Sequence, residues 1–440
     1  MYSPPLGPEL EEVSTWEYRK SLLKERIKLI DADVVCLQEV SPLSFDKDFA
    51  FMSEDLGYDG VELFKKGRFR PATFYRKSKV TLSTDPMHKD RTLLTSFILD
   101  AEEGEDKTSW HVLNCHLQAG KNGGRRVRQL LEGVSAAYKA SKNKLKGKVV
   151  MRVALRRHIL FTYTSNFIYI VCTEEDPENL KLIVCGDFNG SKECGAVHLV
   201  ETASIDEKFL EDGEQVSSKV KSLPIPPLID AMATGRGEDE EPPATLVVPE
   251  LISLMTQAGV EDAYANPQFS DGVTDRLKRI YKRFATKHDK DQTQLQMSKE
   301  DVAKWLTVIN LQVGRGTEFR NAAKYMGWVD TSKEIDGGQM NKSERPPIYI
   351  PDDGVLTLSD FINVYLDELK QGKFWGIAWD LAALGEPLPI SEVFRARYDR
   401  MYCSVALQPA VVLDTVSDVA CPNEHEPSDH LPVCASFVKR

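Results

Sequence analysis

The most useful clues in this 440-residue chain are first the ones it lacks. The N-terminus, Met1-Tyr2-Ser3-Pro4-Pro5, has no basic stretch followed by an apolar one, so nothing there reads as a secretory signal. The apolar, β-branched run from His158 to Cys172 falls short of the ~20 residues that a spanning helix takes. The eight cysteines show no paired metal-ligand spacing. Cys36, Cys115 and Cys185 sit inside apolar, strand-like runs, as buried free thiols in a reducing compartment do. A positive balance is missing too. At a net charge of −11 the chain cannot coat nucleic acid with its whole surface, so any phosphate-binding face must be a local basic patch. These absences together predict an intracellular protein of the cytoplasm or nucleus, with no membrane partner.

What is present is a set of polar residues at the ends of apolar strands. Leu182 to Gly190 is a buried-strand pattern that ends in Gly186-Asp187-Phe188-Asn189. A carboxylate beside an amide at a strand mouth suits a hard cation and an oriented water, although turns use the same residues for ordinary reasons. A helix over Thr15–Ile30 precedes a second such strand, Ala32 to Val40, which delivers Glu39. A lone acid between apolar neighbours calls for a metal or a cationic partner. Thr73–Arg76, Leu93–Leu99 and His111–Leu117 read as further strands, the last ending at His116. Lys121–Arg157 is strongly basic and largely helical, and its Arg125 and Arg128 are candidates for substrate phosphate. The His158–Cys172 run interrupts a helix-to-strand connection; a retained intron spanning roughly residues 148–174, or an extra strand pair, would account for it.

Ser222–Ala244, rich in Pro, Gly and acid, reads as a linker and a domain boundary. Beyond it the rhythm is helical: Leu277, Ile280, Tyr281, Phe284; Val302, Trp305, Leu306, Ile309; Phe361, Val364, Tyr365. Ser298 with Asp301, and Thr357 with Asp360, look like capping boxes. Two helix–loop–helix pairs with EF-hand outline follow, with Asp289, Asp291, Thr293 and Glu300 as calcium candidates in one loop and Asp353 and Asp360 in the other. Gln294 stands where the first loop wants Gly, and Tyr349 and Pro351 replace acids in the second, so weak calcium binding at most is expected. Asp399 lies before an apolar run, and Ser428-Asp429-His430 opens the last strand.

Leu37-Gln38-Glu39, Asn114-Cys115-His116-Leu117, Gly186-Asp187-Phe188-Asn189 and Ser428-Asp429-His430 occur in the order used by the endonuclease/exonuclease/phosphatase superfamily, which this chain resembles. Trp16–Val40 and the stretch from Gly57 to Arg76 look most like its nocturnin and carbon catabolite repressor-type deadenylase branch. The helical section looks like the EF-hand insertion of plant-type calcium-binding members. The resemblance implies an α+β, deoxyribonuclease I-like fold: a two-layer β-sandwich flanked by helices, carrying an inserted helical EF-hand-like module. It divides the chain into residues 1–245, 246–385 (the insertion) and 386–440. It also implies Glu39, Asp187 and Asp429 at a Mg²⁺ site that would accept Mn²⁺, Asp187 and Asn189 handling the water, His116 on the scissile phosphate, and Asp399 orienting His430. One departure stands out: the family begins with a strand whose Asn faces the metal, and here the first helix follows almost at once. The expectation is a truncated N-terminus or a missing central strand.

The leading expectation is a metal-dependent phosphodiesterase acting on nucleic acid, with RNA 3′ ends as one candidate. A phosphatase of nucleotides or inositol phosphates is the alternative among enzymes. Outside enzymes, the alternative is a calcium-responsive binding protein with a defunct catalytic domain, its protein partner docking through the helical module.

Overall fold

The computed structural model describes residues 13, 15–63, 70–99, 109–159, 177–237, 239–257, 268–288, 294–310, 313–314, 316–328 and 348–440, with the side chains of α4 described as far as Lys142. Two compact units divide the chain. One comprises Trp16–Val247 and Arg395–Arg440; Val248–Phe394 makes up most of the other. Among the described residues no helix is long and apolar enough to cross a membrane.

The first unit is layered helix, sheet, sheet, helix. Strands β1 (Val34–Val40), β2 (Gly60–Leu63) and β3 (Arg70–Tyr75) form a sheet in the order β1-β3-β2. Helices α1 (Trp16–Ile30), α2 (Phe45–Asp48) and α3 (Ala50–Glu54) supply Ile27, Phe45, Phe51 and Met52 to a core with Val40, Ala72 and Phe74 on that sheet. The larger sheet holds β4 (Val80–Lys89), β5 (Thr92–Leu99), β6 (Ser109–His116), β7 (Lys181–Asp187) and the strands Asp399–Cys403 and Ile229–Asp230. Its inner face contributes Val80, Phe97, Val112 and Cys185 to a core shared with Tyr75 of the first sheet. Its outer face is covered by α4 (Gly123–Ile159) and α5 (Gly195–Thr202), which bury Leu130, Val134, Ala137, Val197 and Leu199 against Leu94, Leu113 and Val184.

One buried amide ties the two sheets together. Asn114 on β6 is completely buried; its side chain donates to the carbonyls of Leu37 at 3.2 Å and Ala72 at 3.0 Å, and accepts from Gln38 Nε2 at 2.9 Å. Gln38 and Asn114 belong to the motifs that carry the family resemblance, and in the fold they act as cross-layer ties.

Several elements differ from the sequence reading. The ten-residue β4 has no strand-like run: Pro86 and three charged or imidazole positions, Asp85, His88 and Lys89, break its pattern, which an edge strand of a sheet tolerates. Ser222–Ala244 is not a linker. Leu223, Ile225, Leu228, Ala231 and Met232 are buried, Ile229–Asp230 pairs with Asp399–Cys403, and Asp230 accepts from Arg397 at 2.6 and 2.7 Å. Proline fixes an extended course in packed segments as readily as in linkers, so composition alone misled. The chain leaves the sandwich at Val247 and returns at Arg395, later than residue 386. Residues 1–12, on which the missing-strand expectation falls, and 160–176, on which much of the His158–Cys172 reading falls, lie outside the described residues.

The second unit packs α6 (Ile252–Met255), α7 (Asp271–Phe284), α8 (Lys299–Asn310), α9 (Gly316–Tyr325), α10 (Leu358–Leu369) and α11 (Phe374–Ala383) around Leu277, Ile280, Val302, Trp305, Leu306, Phe361, Val364 and Tyr365. Its two loops meet in a reciprocal Met297–Leu356 bridge at 2.9 and 3.0 Å. Leu356 precedes Asp360 by four residues, and Met297 precedes Asp301 by four, so Asp301, not Glu300, closes the first loop. Both closing carboxylates are already engaged. Asp301 accepts from Thr286 Oγ1 at 2.7 Å and the Ser298 amide at 3.1 Å, while Asp360 accepts from Thr357 Oγ1 at 2.6 Å and the Thr357 amide at 3.2 Å. The Ser298 and Thr357 donors are ones left over at a helix start, and Thr286 lies just beyond the end of α7. Glu300 and Asp353 are exposed, and Asp289, Asp291 and Thr293 lie outside the described residues.

Asn114→Ala removes the donor to the Leu37 and Ala72 carbonyls and the acceptor for Gln38 Nε2, which keeps a 3.3 Å bond to the Cys36 carbonyl. It is expected to cost about 1–3 kcal/mol of stability, read from the urea unfolding midpoint; a change within about 0.5 kcal/mol would show that these bonds contribute little.

Candidate active site

The site grows from strand register. β6 and β7 run parallel with His116 opposite Asp187, and Asp399 lies opposite Asp187 on the antiparallel neighbour. Residues opposite one another on adjacent strands project to the same face, so one imidazole and two carboxylates form a row across three strand ends. Gly186 makes this possible. Its φ is 120°, and a Cβ there would collide with the Cys115 carbonyl on β6. Only glycine lets the chain turn Asp187 into the row at this approach.

Each member of the row is held. The Asn189 amide donates to Asp187 Oδ1 at 2.7 Å, and its Nδ2 donates to Oδ2 at 2.6 Å and to the Leu117 carbonyl at 3.1 Å. Asn189 adopts a left-handed φ of 49° to do so, a conformation Asn accepts more readily than most residues. His430, from the loop before the last strand, shares a 2.6 Å hydrogen bond between its Nδ1 and Asp399 Oδ2. Thr245 holds Asp399 in turn, its Oγ1 accepting from the Asp399 amide at 2.8 Å. Asp187, Asp399 and His430 each place a ligand-type atom within 4.8 Å of the others.

Glu39 faces this row from the end of β1, with a φ of 54°. His116 Nε2 lies 3.6 Å from Glu39 Oε1 and 3.8 Å from Asp187 Oδ2, so one ring touches both carboxylates. Asp429 is half-buried, accepts from Ser428 Oγ at 3.3 Å, and bears electrostatically on Glu39 and His430.

The electrostatics separate these groups. Burial, with further contributions from Asp399 and Glu39, pushes the Asp187 carboxyl up to about 7. Desolvation by the cleft walls, then the Asp429 charge, raises Glu39, although its side chain remains 63 % exposed. Burial, then Arg91, lowers His116 to about 4, so its ring is neutral at neutral pH. For His430 burial opposes the charge, but Asp399 overcomes it and raises the imidazolium well above its usual value; Asp399 is held below the carboxylate range in return. The Asp399–His430 bond is therefore a charged pair, which leaves Glu39, Asp429 and Asp187 as the oxygen donors free for a hard cation.

Seven residues singled out from the sequence, Glu39, His116, Asp187, Asn189, Asp399, Asp429 and His430, thus share one cleft. Arg125 lies at its margin, paired with Asp90 at 3.2 Å, and Arg128 is exposed on α4. Three residues escaped the sequence reading. Thr245 is a single threonine in a Pro-rich stretch. Arg19 lies on α1, where it looked like solvent-facing charge, yet it is largely buried and bears on Asp429 and Glu39. Arg91 sits in the β4–β5 turn, and its only sequence signal is the Asp90-Arg91 pair.

Comparison with known proteins places the chain in context. The model of the Endonuclease/Exonuclease/phosphatase family matches residues 10–430. The human protein named 2′,5′-phosphodiesterase 12 is 30 % identical over 220 residues, 47 % of this chain and 32 % of that one. The CCR4-Not complex 3′-5′-exoribonuclease subunit Ccr4 of Debaryomyces hansenii is 23 % identical over 242 residues, covering 47 % and 27 %. The matched region spans about a third of the length of these relatives. Among solved structures, ANGEL2, titled a 2′,3′-cyclic phosphatase, in complex with adenosine-2′,3′-vanadate, aligns over 97 % of this chain and 88 % of its own at 15 % identity and a TM-score of 0.43. The human Nocturnin catalytic domain with bound sulfate aligns over 56 % and 74 % at 19 % and 0.32.

Asp187 must ionise to meet a cation, and its pKa near 7 sets the pH dependence. Below about pH 7, binding of a divalent cation such as Mn²⁺ releases a proton, so affinity should fall by up to about tenfold per pH unit, and level off above. Calorimetric titration from about pH 5.5 to 8 checks this; an affinity independent of pH would show that Asp187 is not a ligand.

Proposed function

The chain belongs to the endonuclease/exonuclease/phosphatase family, and on that premise we propose that it is a Mg²⁺-dependent phosphodiester hydrolase acting on RNA, at 3′ ends. The observation that carries this is the 2.6 Å Asp399–His430 pair set against Asp187, with Asn189 locking both Asp187 oxygens. The names of the relatives, a 2′,5′-phosphodiesterase and a 3′-5′-exoribonuclease subunit, favour RNA over other phosphate esters.

Glu39 and Asp429, with Asp187, would hold the Mg²⁺, and when bound it neutralises charge on the phosphoryl oxygens. Asp187, ionised beside the cation, would accept the proton of the attacking water. Asn189 fixes the direction of that carboxylate. His430, kept cationic by Asp399, presents its Nε2–H to a non-bridging oxygen, where charge grows in the transition state. His116, neutral and buried, offers one further hydrogen bond to the phosphate without adding charge.

Asp187→Ala and His430→Ala should each slow release of nucleotide from RNA by at least about 10²–10³-fold, with thermal melting close to that of the parent. Near-parental turnover in either variant would mean that the roles are misassigned.

A further inference from the structure

Three arginines meet at the β4–β5 turn beside the row of catalytic groups. Asp90, with a φ of 46°, makes the turn, and the next residue, Arg91, accepts the backbone amide of His116 at 3.0 Å. Arg91 is thereby anchored to the neighbour of Asp187. Asp90 is fully engaged: it accepts from Arg125 at 3.2–3.4 Å and from Gln129 at 2.6 Å, and its carbonyl accepts from Arg70 at 3.0 Å. Arg91 is half-buried, and among the described residues its guanidinium has neither a hydrogen bond nor an ion pair. The charges that act on it are Arg125, Asp90, Arg70 and, from the cleft, Glu39; burial and then Arg125 lower its pKa. With the Asp90 carboxylate engaged by Arg125 and its carbonyl by Arg70, Arg91 adds further positive charge at this turn in a chain that is otherwise acidic. A half-buried arginine among other arginines is costly unless an anion completes the group. The planar fork of arginine matches a phosphate with two parallel hydrogen bonds.

We propose that Arg91, flanked by Arg70 and Arg125, binds the substrate phosphate next to the one that is cleaved, so that the substrate is an oligonucleotide and not a single nucleotide. The site of cleavage in this statement rests on the function proposed above; the anion subsite does not. Arg91 acts by direct contact with substrate, and the cluster extends outward from His116, so a second phosphate would lie along the β4–β5 turn and the start of α4.

Binding separates the two ideas. Fluorescence anisotropy without metal, using a labelled phosphorothioate oligoadenylate and a labelled adenosine monophosphate, compares the parent with Arg91→Ala and Arg91→Lys. Arg91→Ala should weaken oligoadenylate binding roughly ten- to a hundredfold, as loss of a charged hydrogen-bonded contact does. The slope of log affinity against log salt should shrink by about 0.7, the value for one phosphate contact on a single strand. Monophosphate binding should fall several-fold less, and Arg91→Lys should restore the salt slope but only part of the affinity. Equal losses on both ligands would place Arg91 at the scissile phosphate and overturn the assignment; an unchanged affinity and slope would overturn the subsite altogether. If binding behaves as stated while the parent fails to hydrolyse RNA with Mg²⁺, the proposed function falls and the subsite stands. Circular dichroism of both variants guards against misfolding, and Arg91→Gln replaces Arg91→Ala should the alanine variant not fold.

Discussion

The parallel pairing of β6 with β7 is the constraint on which the site depends. It sets His116 beside Asp187, and the antiparallel strand on the other side of β7 adds Asp399 to the same row. A slip of one residue in any of these pairings would turn a member of the row to the opposite face of the sheet. Register is in turn held by what lies above and below: Leu113 and Val184 pack under α4 and α5 on the outer face, and Val112 and Cys185 pack against Tyr75 on the inner one. Asn114 ties β6 to both β1 and β3, so the strand that carries Glu39 is fixed relative to the strand that carries His116. His116, Asp187 and Asp399 thus inherit their spacing from a packed core and not from loops of their own.

Charge then assigns different states to similar groups. Two aspartates on neighbouring strands are held at opposite ends of the carboxylate range: Asp187 is raised by burial, and Asp399 is lowered by its bond to His430. Two histidines diverge likewise, with His116 neutral beside Arg91 and His430 cationic beside Asp399. Pairs of groups pushed apart in this way supply a base and a cation in one cleft at one pH. The arginines at the β4–β5 turn place local positive charge beside α4 in a chain of negative net charge.

The helical unit shows the same chemistry put to another use. Asp301 and Asp360 stand at the loop ends where a cation ligand would be looked for, yet each engages its carboxylate with protein donors: Asp360 with the Thr357 amide and hydroxyl, Asp301 with the Ser298 amide and the Thr286 hydroxyl. Thr357 completes the exchange with Asp360 by accepting its amide, so the loop end is closed by side-chain and backbone donors. The core of this unit is built on Trp305, Phe361 and Tyr365, whose rings meet edge to face.

The sequence by itself located the polar residues that stand at the strand ends. Glu39, His116, Asp187 and His430 each end or precede an apolar run, and hydrophobic patterning over a few residues is enough to locate a strand end and the polar group on it. Helical spacing located Leu277, Trp305 and Phe361 in the same way, and Thr357 with Asp360 announced its capping box. The tertiary structure alone decided what meets what. That Asp187 stands between His116 and Asp399 depends on pairings between strands about 70 and 210 residues apart, and no local pattern encodes register across such distances. Thr245 and Arg91 look like ordinary loop residues until Asp399 and His116 are brought to them. The Pro-rich stretch from Ser222 looked like a linker because proline reports only its own backbone angle; its burial was decided by Leu223, Ile225 and Leu228 finding a core assembled from other parts of the chain.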